Sequence, residues 1–106
     1  MIYEYAISFE LKTDSTYDER YRSLMEVIAK TPGKPGVWTE TTAFVLLRSS
    51  ETIEELEHRL YYKSKLSSSK DKLLVIDHAS NVAVARGPFE YPATLKAHFK
   101  NCLLRK

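Results

Sequence analysis

Cysteine is nearly missing from this chain of 106 residues, where Cys102 stands alone. One thiol cannot build an intramolecular disulfide framework or a cysteine-rich metal cluster. Its neighbours Phe99 and Leu103 mark it as a buried or interface thiol. Glycine is scarce too, with three residues each beside a proline, so no glycine-rich loop is available to cradle a phosphate. No apolar run approaches the roughly 20 residues that a membrane-spanning helix requires. The first residues carry Glu4 inside an alternating pattern, unlike the basic, apolar leader of a secreted protein. A cytoplasmic location away from any membrane is therefore expected. Net charge is small, at +2, and does not by itself demand a polyanionic partner. His58, His78 and His98 show no metal-ligand spacing. Ser49-Ser50 and Ser67-Ser68-Ser69 have no nucleophile elbow around them.

What remains is an ordinary globular composition, 43% hydrophobic and 28% charged, of a length that makes one domain. From Ile2 to Leu11, Tyr3, Tyr5, Ile7, Phe9 and Leu11 fall on one face and Glu4, Ala6, Ser8 and Glu10 on the other. That period of two predicts a strand with one face in a core. Thr16 and Glu19 have the spacing of a capping box. Tyr17, Tyr21, Leu24, Met25 and Ile28 then form one helical stripe, with Asp18, Arg20, Arg22 and Glu26 outside it. Thr31-Pro32-Gly33 ends that helix, and Lys34-Pro35-Gly36 turns the chain. Val37 to Arg48 is β-prone and fits one kinked strand or, preferably, a hairpin bending near Glu40-Thr41-Thr42. Its second arm puts Val45 and Leu47 on one face and Phe44 and Leu46 on the other. Apolar side chains on both faces fit a central strand, or one whose outer face a partner covers.

Thr52 and Glu55 repeat the capping-box spacing ahead of a second helix, where Ile53, Leu56 and Leu60 make the buried stripe. Glu51, Glu54, Glu55 and Glu57 load its first half, and Lys63 and Lys65 lie towards its end, as the helix dipole favours. Leu73 to Ile76 reads as a buried strand, and Val82 to Ala85 as a further one after a turn at Ser80-Asn81. The order β-α-β-β-α-β predicts an α+β, ferredoxin-like sandwich over residues 1–87, with an additional strand at its end. Gly87-Pro88 closes that unit. In the tail, residues 88–106, Tyr91-Pro92 starts a helix whose stripe is Leu95, Phe99, Cys102 and Leu103. So short a helix must dock, either on the open sheet face or on a second subunit.

The second half of the chain is locally basic. Arg59, Lys63, Lys65, Lys70 and Lys72, and then Arg86, are set against few acids, which permits RNA or DNA contact but also suits a solvated helix face. Tyr3, Tyr5, Tyr17, Tyr21 and Trp38 offer rings for stacking on bases, yet their spacing puts most of them in the core.

Three stretches carry a resemblance: Phe9-Glu10-Leu11 closing the first strand; Trp38 and Thr41 to Leu46 ahead of Thr52-Ile53-Glu54-Glu55-Leu56; and Asp71 to Ile76. Over residues 2–87 the chain resembles the SinR-like proteins, relatives of CRISPR-associated protein two and of the VapD toxins. The resemblance implies a homodimer of ferredoxin-like subunits, often with the late strand crossing to the partner's sheet. It also implies a nucleic-acid-associated protein, in some relatives a nuclease using Mg²⁺ or Mn²⁺ held by an aspartate that ends the first strand. The matching position here is Glu10, one methylene longer, and Mg²⁺ demands near-ideal octahedral geometry. Glu10 is thus the expected catalytic and metal-binding residue, with its symmetry mate or Asp14 as the next oxygen ligand. The expected function is nucleic-acid association with weak or absent cleavage. The alternative is a non-catalytic dimeric protein-interaction module.

Overall fold

The computed structural model describes residues 2–31 and 36–106. It is an α+β fold with the elements β1 (Tyr3–Glu10), α1 (Tyr17–Ala29), β2 (Val37–Thr41), β3 (Phe44–Ser49), α2 (Ile53–Tyr62), β4 (Lys72–Asp77), β5 (Val82–Arg86), α3 (Pro92–Ala97) and β6 (Asn101–Arg105). The strands form one six-stranded sheet in the order β2-β3-β1-β4-β5-β6. Every neighbouring pair is antiparallel except β5 and β6, which run parallel. β2 and β3 are a hairpin, which settles the 37–48 stretch in favour of two strands. The expected proline–glycine stop and turn at residues 32–35 lie outside the described residues. No described helix is long and apolar enough to cross a membrane.

Alternation in β1 works as its sequence predicts. Tyr5, Ile7 and Phe9 are buried and point to the face carrying α1 and α2. There they meet Leu24 and Ile28 of α1, Leu56 and Leu60 of α2, Val45 and Leu47 of β3, and Leu73 and Val75 of β4. Each fully buried leucine contributes about 1.5–3 kcal/mol of transfer free energy, so this layer is the main source of stability. The Thr52–Glu55 capping box forms: the Glu55 amide donates to Thr52 Oγ1 (3.2 Å) and the Thr52 amide to Glu55 Oε1 (2.8 Å).

Three expectations change. Thr16 does not cap α1 with its side chain. Its amide and hydroxyl both donate to Asp14 Oδ1, and its Oγ1 accepts from Arg20 instead of from a helix amide. Arg20, expected outside the apolar stripe of α1, and Glu57, expected among the charges that load the first half of α2, are both buried. Finally, the tail is not one continuous helix. α3 ends at Ala97, and Cys102 and Leu103 lie on β6, where they alternate instead of sharing a stripe. The reason is the free edge of β5. A parallel strand needs a crossover connection, residues 87–100 supply one, and β6 then satisfies backbone groups that a longer helix would leave open.

That crossover starts at Gly87, whose φ of +125° only glycine adopts readily. A Cβ there would lie 2.2 Å from the Asp71 carbonyl oxygen. The segment then lies on the outer face of the sheet, within its own chain. Phe89, Leu95 and Phe99 pack over buried Ala83, Ala85 and Cys102 and against Leu74 and Ile76. The two alanines are small enough for the crossover to approach the sheet closely. Burial raises the Cys102 thiol above its ordinary pKa.

Candidate functional site

Glu10 is the last residue of β1 and belongs to the outer face. Its side chain is 75% exposed, and its one ion pair among the described residues is to Lys72 Nζ at 3.2 Å. Asp14 is held differently. Its Oδ1 accepts from Arg20 Nη1 (2.8 Å) and from Thr16, and its Oδ2 accepts from Lys70 Nζ (3.1 Å). The Arg20 hydrogen bond above all, with the Thr16 amide and Lys70, holds the Asp14 carboxyl well below the usual carboxylate range. Both Asp14 oxygens are thus occupied by cations of its own chain. Among the described residues, no group of three or more His, Cys, Asp or Glu side chains is arranged to hold a metal ion.

The cations expected to meet nucleic acid divide into structural and surface groups. Arg86 is buried and forms a two-pronged pair with Glu57 (Nε–Oε2 2.7 Å, Nη2–Oε1 3.0 Å), its guanidinium lying over the Tyr61 ring at 4.1 Å. Arg59 joins the helices: it donates to Glu51 (2.7 Å), to the Val27 carbonyl in the last turn of α1 (2.7 Å) and to Thr31 Oγ1 (2.9 Å). Lys65, Lys70 and Lys72 are surface residues paired with Glu19, Asp14 and Glu10. Lys63 is exposed, follows α2 and makes no ion pair among the described residues. Two of the six cations are therefore spent on packing the fold, and three face a carboxylate each.

The outer face holds a different feature. Strand registers align Trp38, Leu46, Ala6, Ile76, Ala83 and Cys102 in one row across the whole sheet. A second row runs Phe44, Ser8, Leu74, Ala85 and Leu104. The crossover covers these rows over β4, β5 and β6, but over β2, β3 and β1 they lie open. Trp38 is 39% and Leu46 41% exposed, and the Trp38 ring meets Phe44 edge-on at 6.5 Å. The open patch is framed by two ion pairs. Glu4 accepts from Arg48 Nε (2.7 Å) at one end, and Glu10 pairs with Lys72 at the other. The Arg48 hydrogen bond holds the Glu4 carboxyl below its ordinary range. A shallow concavity of ≈ 380 Å³ lies beside the first pair, lined by Glu4, Val37, Trp38, Leu46, Arg48 and His78.

Of this surface, the sequence marks Phe44 and Leu46, through the two apolar faces of β3. It misses Trp38, because aromatic spacing alone does not separate the outer row from the core.

Comparison with family models, with curated proteins and with solved structures finds no match.

Proposed function

We propose that this chain is a non-catalytic homodimeric interaction module that associates through the open half of its outer sheet face. The observation that carries this reading is the apolar patch of Trp38, Phe44, Leu46 and Ala6 within a frame of two opposite-sign pairs. A contiguous exposed apolar patch with a polar rim marks an association site. Its frame balances Glu4 and Glu10 against Arg48 and Lys72, which does not suit a polyanion. A second copy suits it, because two-fold symmetry sets each patch on an identical one and lets opposite charges meet at the rim. The path β1-α1-β2-β3-α2-β4, with the order β2-β3-β1-β4 and antiparallel neighbours, supports a ferredoxin-like sandwich extended at one edge by β5 and β6. Sedimentation at micromolar concentration tests the reading. The wild-type chain is expected to associate and Leu46→Asp to halve the associated mass; a wild-type monomer overturns the reading.

One observation favours a second reading, a nucleic-acid-associated dimer resembling CRISPR-associated protein two. Glu10 is exposed on the same open face, so a two-fold axis running parallel to the strands would bring two Glu10 carboxylates to one end of the dimer. Two oxygen ligands from two subunits suit Mg²⁺ or Mn²⁺, the ion then handling the attacking and leaving oxygens of a phosphodiester. This reading predicts Mg²⁺- or Mn²⁺-dependent cleavage of RNA or DNA that Glu10→Ala abolishes. Cleavage that survives the substitution removes Glu10 from it.

A further inference from the structure

Among the described residues the sheet has two open edges, and they differ. β2 is exposed along its length, carries Glu40 and two threonines, and slips out of register with β3 between Trp38 and Thr41. Charge and an irregular ladder are the usual means by which an edge strand resists pairing. β6 has neither protection. It keeps regular register with β5 over all five residues, and Leu103 (43%) and Leu104 (40%) are exposed on opposite faces of it. Its one charged side chain, Arg105, is already engaged by Glu57 Oε1 (3.0 Å) and Glu54 (3.5 Å).

We propose that β6 pairs antiparallel with β6 of a second copy, centred on Leu103, so that two sheets join into one. This surface is separate from the patch on β2, β3 and β1 and rests on different observations. In that register Leu103 meets Leu103 of the partner subunit, and Cys102 lies opposite Leu104 of the partner subunit. Each exposed Leu104 is thereby set beside the Cys102, Phe99 and Leu95 cluster of the other copy. Asn101 falls opposite Arg105 of the partner subunit, so no like charges confront each other within Asn101–Arg105, and Lys100 meets Lys106 of the partner subunit only beyond the paired strand. The free backbone N–H and C=O groups of both edges become paired, which is the chemistry of strand addition. An unrelated extended peptide would satisfy the backbone as well, but only a second copy supplies matching leucines on both faces.

Charge exchange at position 103 tests this, read by sedimentation in the Leu46→Asp background, where the face contact is weakened. With both contacts the wild-type chain is expected to be larger than a dimer, the Leu46→Asp chain to be an edge-paired dimer of half that mass, and Leu46→Asp/Leu103→Lys and Leu46→Asp/Leu103→Glu to be monomers. An equimolar mixture of those two double variants is expected to double in mass, because residue 103 faces its own mate. Circular dichroism identical to wild type keeps a folding defect from being read as lost association. A monomeric Leu46→Asp chain overturns the edge pairing and leaves the face reading intact. A mixture that stays monomeric shows that position 103 does not oppose itself and overturns the register. Wild type and Leu46→Asp both dimeric, with Leu103→Lys monomeric, keeps the edge and overturns the face.

Discussion

The two sides of the sheet treat the same kind of charge pair in opposite ways. Between the helices and the sheet, Arg20–Asp71 and Arg86–Glu57 are sealed from water, and every polar atom in them has a partner. Asp71 alone accepts from Arg20 Nε (2.9 Å), the Lys12 amide (3.1 Å) and the Ser67 amide (3.0 Å), tying α1, the end of β1 and the loop before β4 to one point. On the outer face, Glu4–Arg48 and Glu10–Lys72 stand in solvent. A pair removed from water must be kept whole, because losing one member strands a buried charge. A pair in water contributes little to stability and is free to serve as the rim of an interface.

The contrast breaks most severely at Asp71. Asp71→Ala should cost about 3–5 kcal/mol by leaving Arg20 buried without its partner, seen as a lowered urea midpoint. Gly87→Ala comes next. It forces an L side chain into a positive φ and onto the Asp71 carbonyl, and should cost more than about 1–3 kcal/mol of backbone strain alone. Phe99→Ala should cost about 1–3 kcal/mol, since the ring is partly buried in the crossover's contact with Ala83 and Cys102. By contrast, Glu10→Ala should change stability by about 0–1 kcal/mol, and less in high salt. A Glu10→Ala loss as large as that of Asp71→Ala would erase the distinction.

Acid sharpens the same comparison at the smallest scale. Arg20 depresses the Asp14 carboxyl, so the unfolded chain takes up the proton first as pH falls. The contribution of Asp14 is then fully present at neutral pH and lost as pH drops below the ordinary value of 3.8 towards the folded one. Asp14→Asn should flatten that part of the stability–pH curve, measured by urea titration between pH 5 and pH 2 (roughly the carboxylate range).

Local pattern in the sequence reaches the elements that have one dominant period. The alternation of β1, the stripe of α1 and the Thr52–Glu55 box all appear where they are read. Arg20 and Glu57 escape it because each is a charged residue on the buried arc of its helix, four residues from Leu24 and from Ile53 respectively, and their partners are 51 and 29 residues away. No window on a helix reveals a pair made across the fold. The tail escapes for another reason. Leu95, Phe99 and Cys102 satisfy helical spacing, yet the cover over Ala83 and Ala85 is built from a short helix, a turn and a strand. Which period wins depends on the open edge of β5, a property of the sheet and not of the tail. Of the expected site, Glu10 is where the first strand puts it, but Asp14 is absorbed by Arg20 and Lys70.

Trp38 is the chain's single tryptophan and lies within the open patch, so its emission reports directly on whether that patch meets a second copy. At micromolar concentration and above, the emission should be blue-shifted. It should move to the red on dilution, and start red in Leu46→Asp at every concentration. Emission that is red in the wild-type chain and unchanged by concentration or by Leu46→Asp would contradict association through this face.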